Sequence, residues 1–297
     1  MKNSAPTAVG RTDHPGPLLP KKCHYRSRAH VNPLSHNDAF DYPVKPADVD
    51  WATLYPGIPE SELPTIVDAG CGFGGLTVAL ADFFPWNYSL GIEIRAKVAE
   101  YVRLRIEALR NIESAAETSP EDESRVLHVG GSNIVCNGVG PASTRARLSF
   151  LNVAVLRTNS MKYLPNFFRR GQLNKLFFCF PDPHFKAKNH RRRIVSDSLL
   201  SEYAYVLDPT GKGRLYLITD VEELHEWHVA RCDAHPLFER LDDAVAEAED
   251  PAVKAMVNAT EEGKKVQRAG NAKFWAVYRR VEPRRDVVKA EAWLNLV

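Results

Sequence analysis

The chain has 297 residues, 44% hydrophobic and 26% charged, and 39 Lys and Arg against 37 Asp and Glu leave a net charge of +2. That is ordinary globular material for one large domain or two small ones, and five dispersed cysteines (Cys23, Cys71, Cys136, Cys179, Cys232) without a C-x-x-C pair argue against a disulfide framework or a zinc site. No window approaches the roughly 18 consecutive apolar residues of a membrane-spanning helix, and the N-terminus has no apolar signal region, so a soluble intracellular protein without membrane or metal is expected.

Residues 1–20, rich in Pro, Ser, Thr and Gly, have the composition of a disordered tail. A basic extension follows to residue 60, with Lys21, Lys22, Arg26 and Arg28 in its first part. From there short apolar runs alternate with segments of helical spacing. The runs Thr65–Val67, Tyr88–Ile92, Asn152–Leu156, Lys175–Phe180, Arg214–Ile218 and Phe274–Val281 predict strands; Leu76–Phe84, Ala96–Arg110, Ser198–Leu207 and Val221–Cys232 predict helices. Such alternation specifies an α/β fold, a mostly parallel sheet with helices on both faces. Residues 111–150 break the rhythm with an acidic Ser/Glu stretch and then GGSNIVCNGVGPASTRARLS, a long surface insertion by its composition. The stretches 113–123 and 239–250 are acidic, so the small net charge averages over separate patches.

Chemistry concentrates first at Pro64-Thr-Ile-Val-Asp-Ala-Gly-Cys-Gly-Phe-Gly-Gly75. A strand here runs into a glycine-rich turn and then a helix. Gly70, Gly72 and Gly74 allow positive φ and close approach of a ligand to the backbone. Gly70-x-Gly72-x-x-Gly75 also matches the dinucleotide fingerprint, so the turn alone suits a nicotinamide cofactor or S-adenosylmethionine. The next strand ends at Glu93, near the spacing of a carboxylate that grips ribose hydroxyls. The third ends in Thr158-Asn159-Ser160, where an amide can read an adenine edge.

The second concentration is Pro181-Asp182-Pro183-His184-Phe185-Lys186, at the end of an apolar strand. Ligands collect outside the carboxyl ends of parallel strands, so Asp182 is aimed at the crevice of the glycine turn, and two prolines restrict its backbone. Asp-Pro also caps ordinary turns, and the residues alone leave both readings open. The run Lys186-Ala-Lys-Asn-His-Arg-Arg-Arg193 brings five cations to the same turn; with the cluster at 21–28 and a third at Lys264, Lys265 and Arg268, it makes an RNA footprint a better reading than three solvated faces. Tyr25 or Phe185 could stack on an extruded base, although packing is the commoner role for an aromatic.

Together KKCHYRSRAHVNP (21–33), DAGCGFGG (68–75), GIEIR (91–95), RTNSMKYLPNFF (157–168), FPDPHFK (180–186) and TEEGKK (260–265) resemble the tRNA (guanine-N7-)-methyltransferase family in its eukaryotic form. The resemblance covers about residues 21 to 282, and FPDPHFK with TEEGKK is its most specific part. It implies a Rossmann-like class I methyltransferase domain over 61–285 with a seven-stranded sheet, then a tail over 286–297. It implies S-adenosylmethionine contacts at Gly70, Glu93, Ile94, Arg95, Asn159, Ser160, Cys179, Thr260 and Glu262, to which the glycine turn adds Gly72, and a catalytic acid at Asp182. RNA contacts fall on Lys21, Lys22, Arg26, Arg28, Lys186, Lys188, Arg191, Arg192, Lys264 and Lys265. Implied partners are tRNA, methylated at a variable-loop guanosine, and a WD-repeat β-propeller subunit; the implied compartment is the nucleus. Guanine N7 carries a lone pair and no hydrogen, so Asp182 would orient the base through its N1 and N2 donors and offset ring charge, without removing a proton. The rival readings are an NAD-dependent oxidoreductase on the same turn and a non-catalytic RNA-binding scaffold.

Overall fold

The computed structural model describes residues 19–28, 31–35, 40–117, 128–129, 132–133 and 150–282. The expected tails over 1–20 (bar its last two residues) and 286–297, and most of the insertion 111–150, lie outside the described residues.

Five strands run parallel: β1 (Pro64–Ala69), β2 (Tyr88–Glu93), β5 (Val153–Arg157), β6 (Lys175–Cys179) and β7 (Arg214–Thr219). β8 (Phe238–Arg240) and β9 (Phe274–Arg280) complete the sheet, β9 antiparallel to both β7 and β8. The order is β5-β2-β1-β6-β7-β9-β8, that of a Rossmann-like class I methyltransferase. The chain works outward from β1 to β5 and returns to β6 on the other side, so the order reverses between β1 and β6 and a crevice opens beyond their carboxyl ends.

Alternate side chains of each strand feed opposite faces, which is why these strands read as continuous apolar runs. Ile66, Phe177, Tyr216 and Ile218 pack with α2 (Gly75–Phe83) and α8 (Pro251–Ala259). Val67, Leu176, Phe178, Leu215 and Leu217 pack on the other face with α4 (Ser160–Phe167), α5 (Asp197–Val206) and α6 (Glu222–Ala234). α1 (Trp51–Leu54) joins this second core: Trp51 is buried, and Tyr55 just after it donates its hydroxyl to Ser89 O at 2.9 Å. The described residues of the segment 21–60 thus lie against the domain, with Tyr25 edge-on to Tyr101 of α3 (Ala96–Glu117) and Asn166 donating to Pro43 O.

The structure adds helices that the sequence pattern does not predict at Trp51–Leu54, Pro251–Ala259 and Glu261–Arg268, and it differs from the sequence expectation in four further places. α3 runs on to Glu117, so the first residues given to the insertion are helical, and β3 (His128–Val129) pairs with β4 (Ser132–Asn133) inside it. β8 leaves no signal in the sequence because it has only three residues, of which Phe238 alone is buried. α4, with Pro165 inside it, was hidden by that proline. The acidic stretch 239–250 is not simply a charged patch: it forms α7 (Asp243–Glu249), and its last residue, Asp250, is buried against Lys175, Arg214 and the Tyr216 hydroxyl while capping α8.

Candidate active site

Gly70, Gly72 and Gly74 sit at φ of 81, 55 and 75°, the left-handed backbone that only glycine adopts without cost. Nothing lies within 4 Å of the position a Gly70 Cβ would take, so the turn opens into space. Glu93, ending β2, is only 2% exposed. Its Oε2 accepts the Gly72 N–H at 3.1 Å and its Oε1 the Arg95 N–H at 2.9 Å. The Arg95 guanidinium closes on both oxygens at 2.9 and 2.8 Å, which raises its own pKa. Glu93 is therefore the joint between the glycine turn and the exit of β2, with the Arg95 guanidinium lying against both of its oxygens.

Asn159, beyond β5, is already engaged at both ends of its amide. Its oxygen caps α4 through Met161 N–H at 3.0 Å, and its nitrogen donates to Pro33 O at 2.6 Å. Its first duty is to hold the extension over the cleft, which leaves one N–H to read a base edge. The Thr158 hydroxyl beside it is buried and has no partner among the described residues. A buried polar atom of this kind at a cavity wall calls for a polar ligand.

The cleft has two adjoining lobes. The first, about 200 Å³, is lined by Gly70, Glu93, Ile94, Arg95, Thr158, Asn159, Ser160, Cys179, Asp182 and Arg192. The second, about 540 Å³, is lined by Gly72, Cys179, Asp182, Phe185, Asp220, Thr260, Glu262 and Lys265. Gly70, Arg95, Cys179 and Asp182 belong to both. The glycine turn and the PDPH carboxylate thus open onto one cleft, of a size that suits a cofactor with a base beside it.

Asp182 stands at the junction, partly exposed. The His184 N–H approaches its Oδ1 at 3.5 Å and the ring Nδ1 its Oδ2 at 3.9 Å. Cys179 is half-buried in the common wall, and desolvation there pushes its thiol well above its ordinary pKa, so it serves as apolar surface and not as a nucleophile. On the far wall, α9 (Glu261–Arg268) begins at Thr260, whose hydroxyl accepts the Gly263 N–H at 2.9 Å. A Cβ at Gly263 would lie 2.5 Å from that hydroxyl, which explains the glycine of TEEGKK. Glu262 lines the second lobe and pairs with Lys265 at 2.8 Å.

The family described as "Putative methyltransferase" matches residues 62–276, well over half of the chain. Curated proteins named tRNA (guanine-N(7)-)-methyltransferase match almost end to end. That of Meyerozyma guilliermondii is 46% identical over 281 residues, 94% of this chain and 91% of its own length. That of Drosophila persimilis is 45% identical, covering 89% and 92%; that of Yarrowia lipolytica is 47% identical, covering 89% and 78%. The chain belongs to the tRNA (guanine-N7-)-methyltransferase family.

Membership decides the question the glycine turn left open: the cofactor is S-adenosylmethionine, not a nicotinamide. The residues present fit it, since the open glycine turn, Glu93 and the unpartnered Thr158 hydroxyl line one lobe and acidic groups line the next. Three of those acids are not among the residues that the sequence points to. Asp220, at the end of β7, lines the second lobe, as does Glu261. Asp68, at the end of β1, also lines it; burial raises its carboxyl to about 7 although Thr77 donates to it at 2.7 Å. Its place in the motif DAGCG was the available signal.

The ten cations expected to meet RNA fall into different states. Lys21, Arg26, Arg28, Lys186, Lys188 and Arg191 are exposed. Lys22 pairs with the half-buried Glu261 at 3.0 Å over the Phe73 ring, and Lys265 pairs with Glu262; an ion pair as exposed to solvent as the second is weak. Lys264 is half-buried. Arg192 lines the first lobe, and its Nε is buried without a partner among the described residues. The fifth cation of the basic run, Arg193, is 1% exposed and cannot touch RNA.

Proposed function

We propose that the chain methylates N7 of a variable-loop guanosine in tRNA, as the catalytic subunit of a heterodimer with a WD-repeat β-propeller protein. One observation carries the reading: Asp182 lies where the nucleoside lobe meets a lobe lined by Asp68, Asp220, Glu261 and Glu262. When bound, S-adenosylmethionine supplies an electrophilic sulfonium methyl. The chain's own part is electrostatic and positional. Guanine N7 needs no base, because its lone pair is free and bears no proton. Asp182 accepts hydrogen bonds from donor groups of the base and offsets the positive charge that develops on the ring. Glu93 and the glycine turn hold the nucleoside end, so that nitrogen, carbon and sulfur are kept in line. Lys22 pairs with Glu261 of the second lobe and Arg192 lines the first, so the exposed cations of the same two runs, at 21–28 and 186–191, suit a phosphate backbone.

Supply of tRNA and methyl-labelled S-adenosylmethionine to the chain, with and without the β-propeller subunit, tests this reading. Label mapped to N7 by N7-specific chain cleavage is the expected result, with much higher turnover in the complex. Label on another atom, or none in either case, overturns it; equal turnover alone and in complex removes the need for a partner. The nuclear compartment that the family resemblance implies is part of the proposal and is tested by imaging the tagged chain.

A further inference from the structure

The PDPH turn carries the strained backbone of the cleft. Phe180 and His184, neither of them glycine, hold φ of 51 and 47°, a conformation that costs on the order of 1 to 3 kcal/mol each and persists only where the surroundings enforce it. Upstream, the Phe180 N–H continues the sheet by bonding Ile218 O at 2.8 Å. Downstream, the hold comes from ten residues further along. Arg193 Nε donates to Pro183 O at 2.9 Å and its Nη2 to Glu223 Oε1 at 2.7 Å, while the guanidinium lies over the Trp227 ring at 4.6 Å. Trp227 is itself fixed: its Nε1 donates to Val195 O at 2.8 Å, and Arg231 covers it at 4.4 Å.

A buried cation is costly unless fully satisfied. Here an ion pair, a carbonyl and an aromatic face satisfy Arg193 together, and the carbonyl belongs to the residue directly after Asp182. The arrangement closes residues 183–193 into a loop whose two ends meet inside the protein. Between them the exposed Lys186, Lys188 and Arg191 face solvent.

We propose that Arg193 is a positioning residue for methyl transfer: braced by Glu223 and Trp227 on α6, it grips the Pro183 carbonyl and thereby sets the Asp182 carboxylate. The proposal rests on the functional reading above. It separates one arginine of the run from its neighbours, Arg193 acting on the turn and Arg191 on the phosphate backbone. Only a planar fork with several donors makes the two hydrogen bonds and the ring contact at once, so lysine is a poor substitute.

The test is Arg193→Lys in the full chain, assayed under conditions where the wild type methylates tRNA. The expected result is a kcat lowered on the order of 10- to 100-fold, as a misplaced catalytic group gives. Cofactor Kd should stay within about twofold, and the salt dependence of tRNA affinity should keep its slope, which an RNA-contacting cation lowers by about one. Arg191→Ala provides the contrast, with weaker tRNA affinity and a shallower slope. Wild-type kcat in folded Arg193→Lys overturns the proposal, as does a loss confined to tRNA affinity with a shallower slope, or a loss of cofactor affinity in step with Tm. If Arg193→Lys does not fold, Glu223→Gln decides, because Glu223 is 56% exposed: a several-fold lower kcat at unchanged Tm supports the brace, and unchanged kcat rejects it. A wild type that leaves tRNA unmethylated overturns the functional reading and this proposal with it, whereas an active wild type beside an equally active Arg193→Lys overturns the proposal alone.

Discussion

Glu261 accepts the backbone N–H of Gly75 at 3.0 Å across 186 residues of chain. Gly75 opens α2, where the first N–H groups have no partner within the helix and the helix dipole favours an anion. The other oxygen of Glu261 takes Lys22 at 3.0 Å and Arg105 at 3.2 Å, and Arg105 also donates to Phe73 O at 2.9 Å. One carboxylate from α9 therefore fastens the glycine turn to α3 and to the basic extension. No side chain fits at residue 75, where a Cβ would come within 2.5 Å of Ala259 O and of the carboxylate itself.

Glu261→Ala is expected to remove this external cap and lower stability by about 1 to 2 kcal/mol, as loss of a helix cap does. For a domain of this size that is a Tm drop of roughly 2 to 4 °C per kcal/mol. Cofactor affinity should fall with it, since the turn loses a support, and Glu261→Gln should lose less because it still accepts. Thermal unfolding and calorimetric titration check both; an unaltered Tm in the alanine variant would reject the capping role.

Asp182→Asn should keep the turn and lose the charge. Turnover is expected to fall on the order of 10²- to 10³-fold, the usual size of a lost electrostatic contact in the transition state, with cofactor Kd unchanged. Single-turnover methylation beside equilibrium binding separates the two quantities. Undiminished turnover would remove Asp182 from the chemistry.

Glu93→Ala should act on binding instead. It frees the Gly72 N–H and leaves the Arg95 guanidinium without its partner. Hydrogen bonds to charged groups are worth about 1.5 to 3 kcal/mol each, so cofactor Kd is expected to rise at least tenfold. Titration with S-adenosylhomocysteine reads this directly, and an unchanged Kd would contradict it.

Asp68 makes stability depend on pH. Burial is the main cause of its raised carboxyl pKa, from 3.8 to about 7, and the charges of Glu261 and Glu93 add to the rise. The folded chain therefore keeps a proton that the unfolded chain has released, so this residue's contribution to stability declines as pH rises from about 4 to about 7 and is level above. Asp68→Asn cannot ionise and should escape the decline. Variant and wild-type Tm are expected to diverge in the variant's favour across that window; parallel curves would place the Asp68 pKa elsewhere.

Much of the site was legible because its parts are local. A strand, three glycines and Glu93 lie within one β-α-β unit, and PDPH follows an apolar strand, so spacing alone brings them to the carboxyl edge of a parallel sheet. Glu261, Asp220 and Arg193 were not legible in this way, because each acquires its role from a group remote in the chain or from a wall of the cleft that two separate elements build. Arg191, Arg192 and Arg193 are identical as letters, yet the first is exposed, the second lines the cleft and the third is buried.

What the sequence determined by itself was periodicity and local chemistry: the alternation of the main strands and helices, the turn that glycine alone can make, and the acid held between two prolines. Only the tertiary structure decided which charges are neutralised and which face solvent. Lys22 ends on Glu261, Asp250 goes under α8, and Arg193 turns inward to the reactive turn. The reason is physical: a charge is buried only where packing brings a partner to it, and which distant residues meet depends on how the whole sheet and its helices close.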